Sequence, residues 1–213
     1  MKPIGIFGGT FDPVHFGHLR PALEVCEGLD MDQVRFVPSR FPVHRGQPIA
    51  PLNDRIRWLQ IAINEFPQFE VDLREVERDE PSWMVVTLES MAREFPDRPL
   101  CLIMGMDAFS KIGGWHRWKE LFQYAHIVVT HRPGFEYPEG EEFDALLNER
   151  EAGQIEELHC LAADGGGKVI FFPVTPLEIS STGIREIVRD GGDSGLMVPE
   201  AIRDEINSCY RKN

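Results

Sequence analysis

Basic character is what this sequence has least of. Lys and Arg number 22 against 35 Asp and Glu, so the formal charge is −13. No basic run interrupts that excess, and a surface of this sign repels nucleic acid and anionic membranes alike. It still admits a small anionic substrate, provided a few cations converge in one cleft. No apolar stretch reaches the length of a membrane span, and none reads as a secretory leader. Cysteine is sparse too: Cys26, Cys101, Cys160 and Cys209 are scattered, without paired metal-ligand spacing. The expectation is reduced, structural thiols in a cytoplasmic protein. What is present is ordinary for a folded chain, 213 residues with 42% hydrophobic content. That is enough for one sizeable core.

Short apolar runs alternate with helix-periodic segments along the chain. Lys2–Phe7, Val34–Pro38, Phe69–Leu73, Leu100–Met104, Ile127–Thr130 and Val169–Phe172 read as strands. Helices are expected over Phe16–Gly28, Arg55–Phe66 after an Asn53-Asp54 cap, and Ser82–Arg93 with Ser82 as N-cap. Further helices are expected over Trp115–Phe122, near Phe143–Leu147, over Gly183–Arg189 and over Pro199–Cys209. Asp164-Gly165-Gly166-Gly167 reads as a turn. No repeat appears and no linker separates a second domain. The pattern predicts one doubly wound, Rossmann-like α/β domain over residues 1–213 with a mainly parallel sheet. Ligands of such sheets bind where strands end, so the loops after Phe7, Pro38, Met104, Thr130 and Phe172 are the ones to inspect.

The first of these loops is the most informative. Gly8-Gly9-Thr10-Phe11-Asp12-Pro13 joins a buried strand to a helix, and His15 and His18 stand three residues apart at that helix start. At this spacing they share one helix face, beside amides that lack helical partners. The glycines do not have the G-x-G-x-x-G spacing, and Val37-Pro38-Ser39 offers no acid for a ribose. A hydride-transferring dehydrogenase is therefore a poor fit. The histidines could ligate a metal with Asp12 as third ligand, but Asp12-Pro13 reads first as a turn and no cysteine stands nearby. Phosphate contact ranks above metal binding. Far downstream, Ile179-Ser180-Ser181-Thr182-Gly183-Ile184-Arg185 places hydroxyls at a helix start with an arginine just inside. Taken alone, that segment reads as a Ser/Thr cap with a solvated arginine. Beside a phosphate it offers donors and a forked guanidinium.

Together, Gly-Gly-Thr-Phe-Asp-Pro-x-His-x-Gly-His and Ile-Ser-Ser-Thr-x-x-Arg resemble the nucleotidyltransferase superfamily of adenylyl- and cytidylyltransferases. Finer features resemble its nicotinate mononucleotide adenylyltransferase branch in bacteria. These are Pro42-Val43-His44-Arg45, Pro81-Ser82, Met104-Gly105-Met106-Asp107, Trp115 and His131-Arg132-Pro133-Gly134. They run in the family's order from Ile4 to the C-terminal helix. The chain departs from the family at Ser82-Trp83-Met84, where Ser-Tyr-Thr is usual. Main-chain amides do the recognising there, and amides survive a side-chain change.

The resemblance implies adenylyl transfer from ATP to nicotinate mononucleotide, with Mg²⁺ bound mainly through the ATP phosphates. It implies that Gly8, Gly9, Thr10, Phe11, His15, His18, Gly105, Asp107, Ile179, Ser180, Ser181 and Arg185 meet ATP. His15, His18 and Arg185 would carry the catalytic charge stabilisation. Thr10, His44, Arg45, Trp83, Met84, Trp115, His116 and Arg132 would meet the mononucleotide, with Trp115 stacking on the pyridine ring. No protein-held metal set, no nucleic-acid partner and no membrane partner are implied. The expected assembly is a monomer or small homo-oligomer.

Overall fold

The computed structural model describes residues 1–43, 46–131 and 140–211. The first half runs β1 (Ile4–Gly9), α1 (Phe16–Gly28), β2 (Gln33–Pro38), α2 (Leu52–Ile63), β3 (Phe69–Val71) and α3 (Met84–Glu94). The second half runs β4 (Leu100–Gly105), α4 (Met106–Phe109), α5 (Leu121–Tyr124), β5 (His126–His131), α6 (Glu141–Arg150) and α7 (Ala162–Gly165). It closes with β6 (Val169–Pro173), α8 (Ser181–Arg189) and α9 (Glu200–Arg211). The six strands lie in the order β3-β2-β1-β4-β5-β6, and every pairing among them is parallel.

Parallel pairing needs a crossover between partners, and helices make those crossovers on both faces. Both faces are therefore buried, and the strands read as unbroken apolar runs. In β4 and β5 the alternation is visible in which core each residue joins. Cys101, Ile103 and Val128 pack under α1, α2, α8 and α9. Leu100, Leu102, Met104, Ile127 and Val129 pack under α3, α4 and α5. Full burial of such side chains contributes about 1.5–3 kcal/mol each. The strand order reverses direction between β1 and β4, which opens a crevice at their carboxyl ends. The β1–α1 loop stands at that crevice.

Several helix starts differ from those expected. Pro51 rather than Asn53 precedes α2, its fixed φ suiting a helix entry. Trp83 rather than Ser82 caps α3. The Ser82 hydroxyl instead accepts the amides of Arg40 and Phe41, tying this segment to the loop after β2. In place of the helix expected over Trp115–Phe122, the chain forms a 3₁₀ turn at Trp118–Glu120 followed by α5, with a separate 3₁₀ turn before it at Ile112–Gly114. Arg117, in the left-handed region at φ 53°, interrupts the expected helix. Of the turn expected at Asp164–Gly167, Asp164 and Gly165 lie in the short helix α7, and the chain turns at Gly166, φ 82°.

A buried histidine opens β5. His126 Nδ1 accepts the Lys168 amide at 3.0 Å, which leaves Nε2–H to donate to the Cys160 carbonyl at 2.8 Å. Burial lowers its pKa below the ordinary 6.5; the Cys160 hydrogen bond opposes this, and the Lys168 charge reinforces it. The folded pKa thus lies below the unfolded one. Between the two, the unfolded chain binds a proton that the native chain does not, so stability falls as pH drops below about 6.5. Denaturant titrations should show this as a slope of up to about 1.4 kcal/mol per pH unit. His126→Gln should lose that component, and identical pH dependence in both proteins would refute the buried neutral imidazole.

Candidate active site

β1 delivers Gly8 and Gly9 to the crevice, and the chain turns through Phe11 with φ at +49°. A bulky residue in the left-handed region is strained and persists only where surroundings hold it. Phe11 is held by burial, 2% exposed against Phe7 and Phe36. His15 follows in extended geometry as the N-cap of α1. Its ring and that of His18 stack with centroids 3.7 Å apart and planes 29° from parallel. The edges of Phe11 and Phe7 meet the His18 ring at 5.2 and 6.1 Å. Apolar walls and mutual stacking therefore fix both imidazoles at the mouth of α1.

The distant Ser-Ser-Thr segment arrives at the same place. Ser180 caps α8, its hydroxyl oxygen accepting the Gly183 amide at 3.1 Å. Ser181 Oγ donates to the Pro13 carbonyl at 3.0 Å. Arg185 donates through Nη1 to the Asp12 carbonyl at 2.6 Å and through Nη2 to Thr182 Oγ1 at 3.1 Å. The backbones nearly touch: a Cβ on Gly17 would come within 2.7 Å of the Ile179 carbonyl and 2.9 Å of His15 Nδ1. The glycine between the histidines is thus required by the approach of the second segment. Two stretches more than 150 residues apart in sequence form one cradle of imidazoles, hydroxyls and a guanidinium.

The other expected residues form a second group at the same edge. Trp83, at the start of α3, stacks on His116 with centroids 4.1 Å apart and planes 25° from parallel. The Met84 methyl stands 2.4 Å from where a Cβ on Gly8 would lie, so α3 packs its first residue onto the end of β1. Trp115 is half-buried against the core under α3. Gly105 caps α4, on which Asp107 is exposed, and Thr130 Oγ1 donates to the Met104 carbonyl beside it. His44, Arg45 and Arg132 lie outside the described residues. Among the described residues no group of three or more His, Cys, Asp or Glu could hold a metal ion.

The model of the cytidylyltransferase-like family matches residues 6–187. The chain belongs to this family. It is 45% identical over 212 residues to a Methylococcus capsulatus protein named "Probable nicotinate-nucleotide adenylyltransferase", covering 98% of this chain and all of that one. An Aeromonas hydrophila protein of the same name is 41% identical over 204 residues, 96% of this chain and 94% of that one. Among solved structures, Plasmodium falciparum nicotinic acid mononucleotide adenylyltransferase complexed with NaAD superposes with a TM-score of 0.72 at 18% identity. The match covers all of this chain and 99% of that one. This likeness shows the shared fold. No helix among the described residues is long and apolar enough to cross a membrane.

Two residues that support the family motif, Arg55 and Tyr210, escaped the sequence reading, and a third, Asp12, has a role that reading did not assign. The Asp12 carboxylate accepts the amides of Ile49 and Ala50 at 2.9 and 3.0 Å and the Tyr210 hydroxyl at 2.6 Å. It is more than the turn residue that Asp12-Pro13 suggested, and its donors leave it poorly placed as a metal ligand. Arg55, 1% exposed, donates to the Thr10 and Ser39 carbonyls and so joins the ends of β1 and β2. Burial lowers its pKa, and the Asp12 charge opposes that. A signal for both partners was available. Arg55 shares a helix face with Leu59 and Ala62, and Tyr210 shares one with Ile202 and Ile206.

Gly17→Ala should destabilise the fold by about 1–3 kcal/mol, as overpacking does where a backbone cannot yield. Urea denaturation measures it. An unchanged midpoint would mean that the Ile179 carbonyl does not approach so closely.

Proposed function

We propose that this chain transfers the adenylyl group of ATP to nicotinate mononucleotide, releasing nicotinate adenine dinucleotide and pyrophosphate. The observation that carries the reading is the meeting of the stacked His15–His18 pair with the Arg185 end of α8 at the β1 edge. The full-length relatives bearing the adenylyltransferase name support the choice of substrates.

A 5′-phosphate oxygen of the mononucleotide attacks the α-phosphorus of Mg-ATP. The bond from that phosphorus to the bridging oxygen breaks, and pyrophosphate leaves with the electron pair. The nucleophile is already an anion, so no general base is required and no covalent intermediate forms. What remains for the protein is in-line positioning and neutralisation of charge on the transferred and leaving oxygens.

His15 and His18 donate to the ATP phosphates, and those phosphates favour the charged imidazoles. The loop amides at Gly9, Thr10 and Phe11 add donors without charge. Ser180, Ser181 and Arg185 hold the outer phosphates: Ser181 exchanges the Pro13 carbonyl for a phosphate oxygen, while Arg185 keeps the Asp12 carbonyl on Nη1 and offers phosphate the N–H donors that its bonds to Asp12 and Thr182 do not use. Asp107 takes a ribose hydroxyl, with Gly105 and Ile179 lining the nucleotide. Trp115 stacks on the pyridine ring, and the backbone around Trp83, Met84 and His116 faces the nicotinate carboxylate. His44, Arg45 and Arg132, which lie outside the described residues, take in this proposal the role of meeting neighbouring anionic groups of the substrates. Mg²⁺, carried by the phosphates, lowers the charge that the cradle must meet.

The test is pyrophosphate release from Mg-ATP with nicotinate mononucleotide, nicotinamide mononucleotide or phosphopantetheine offered separately. Release with nicotinate mononucleotide is expected to be the fastest. Preference for phosphopantetheine would reassign the acceptor, and no release with any acceptor would leave a nucleotide sensor on this fold. His18→Ala should lower kcat by roughly a hundredfold or more, as loss of one oxyanion donor does, with the circular dichroism spectrum retained. A folded variant with full activity would sink the mechanism.

A further inference from the structure

Below the histidine loop the motif residue Asp12 meets a buried partner that lies outside the family motifs. Tyr210, 2% exposed, stands in the last turn of α9. Its hydroxyl donates to Asp12 Oδ1 at 2.6 Å, and the same oxygen accepts the Ala50 amide while Oδ2 accepts that of Ile49. Burial, and then the Asp12 carboxylate, push the Tyr210 phenol well above its usual range, so it remains a donor. Asp12 is held from the other side as well. Its carbonyl accepts Arg185 Nη1 at 2.6 Å, and that nitrogen lies 3.8 Å from Asp12 Oδ2. One residue on, the Pro13 carbonyl accepts Ser181, and two further on stands His15.

We infer, on the adenylyl-transfer reading of the site, that Tyr210 is a positioning residue. By fixing the Asp12 carboxylate it sets where the Asp12 carbonyl, and through it Arg185, stands relative to His15 and His18. The hydroxyl is not what docks the helix. Ile202 and Ile206 of α9 are fully buried, the Trp58 ring lies 6.1 Å from that of Tyr210, and Asn207 bonds to Ser194 and Asp193. Those contacts survive loss of one oxygen atom. What is lost is one of three donors to a buried carboxylate, and with it the orientation of the loop. Misplacement of a phosphate-holding group by a fraction of an ångström suffices to slow an in-line reaction.

The test is Tyr210→Phe, alone and combined with Arg185→Lys, followed by steady-state pyrophosphate release. Alone it should lower kcat about tenfold and leave KM for nicotinate mononucleotide within about twofold. In the Arg185→Lys background the same change should cost about twofold or less, because both substitutions remove one function. Thermal midpoints should fall equally in both backgrounds. Full kcat in Tyr210→Phe overturns the inference, and so does a tenfold loss repeated undiminished beside Arg185→Lys, which would mark general loosening. Should Tyr210→Phe fold poorly, Asp12→Asn, which keeps an acceptor for the hydroxyl, is expected to show the same non-additivity. If the unmodified chain releases no pyrophosphate, the activity reading falls. The coupling is then read from Mg-ATP affinity by calorimetry, where additive losses overturn it.

Discussion

The Asp12 carboxylate is the point on which three distant parts of the chain converge. It takes two amides from the loop after β2 and a hydroxyl from the last helix, while its own carbonyl meets Arg185 of α8. A carboxylate this deeply buried is costly unless donors surround it. Here the donors are supplied by the loop before α2 and by the last helix, two segments far apart in sequence that both reach the end of β1. The loop that carries His15 therefore has its geometry set from below and from both sides. Arg55 adds a further clamp one turn earlier by holding the Thr10 carbonyl. The histidines can be stacked in one orientation because the backbone that bears them has little freedom left.

Charge distribution explains how so acidic a chain can carry the phosphate cradle proposed above. Most of its arginines have carboxylate partners: Arg35 and Arg74 share Asp72 and Glu94, Arg57 meets Glu205, Arg98 meets Asp32 and Arg117 meets Glu120. Those cations are neutralised where they stand. Arg185 has the Asp12 carboxylate 3.8 Å away, and its short hydrogen bonds to the Asp12 carbonyl and the Thr182 hydroxyl use two of its five N–H donors. The others can meet an arriving phosphate, to which charge-assisted bonds are stronger than bonds to neutral oxygens. The global charge repels polyanions at long range, while the local field at α8 remains open to a small one.

The parts of this architecture legible in the sequence were those governed by local pattern. Apolar runs marked all six strands, and the His15–His18 and Ser180–Arg185 segments stood out by side-chain type and spacing as two segments that the structure brings together at the end of β1. Contacts set by tertiary packing were harder to read. Ser82 looked like a helix cap, yet its hydroxyl serves the Arg40 and Phe41 amides instead. Arg117 in a left-handed conformation divides what periodicity joined into one helix. Asp12 looked like a turn residue because its partners, Ile49, Ala50 and Tyr210, lie 37 to 198 positions away. Tyr210 and Arg55 sat on apolar helix faces, where a lone polar group points to a buried partner without naming it.

The two halves of the proposed site are mechanically continuous. Met84 lies over Gly8, so the start of α3 rests on the strand that bears the phosphate loop. Trp83 stacks on His116 and thereby ties α3 to the segment that carries Trp115. A tryptophan presents a larger face than the tyrosine usual in the family, and an indole stacked on an imidazole is a broad, sequence-distant contact. Any movement of the Trp115 segment must then either break that stack or carry α3 with it. Since α3 also bears on Gly8, displacements of the Trp115 segment and of the phosphate loop's strand are not independent. For the proposed reaction, which needs no base, coupling of this kind would link acceptor binding to in-line alignment.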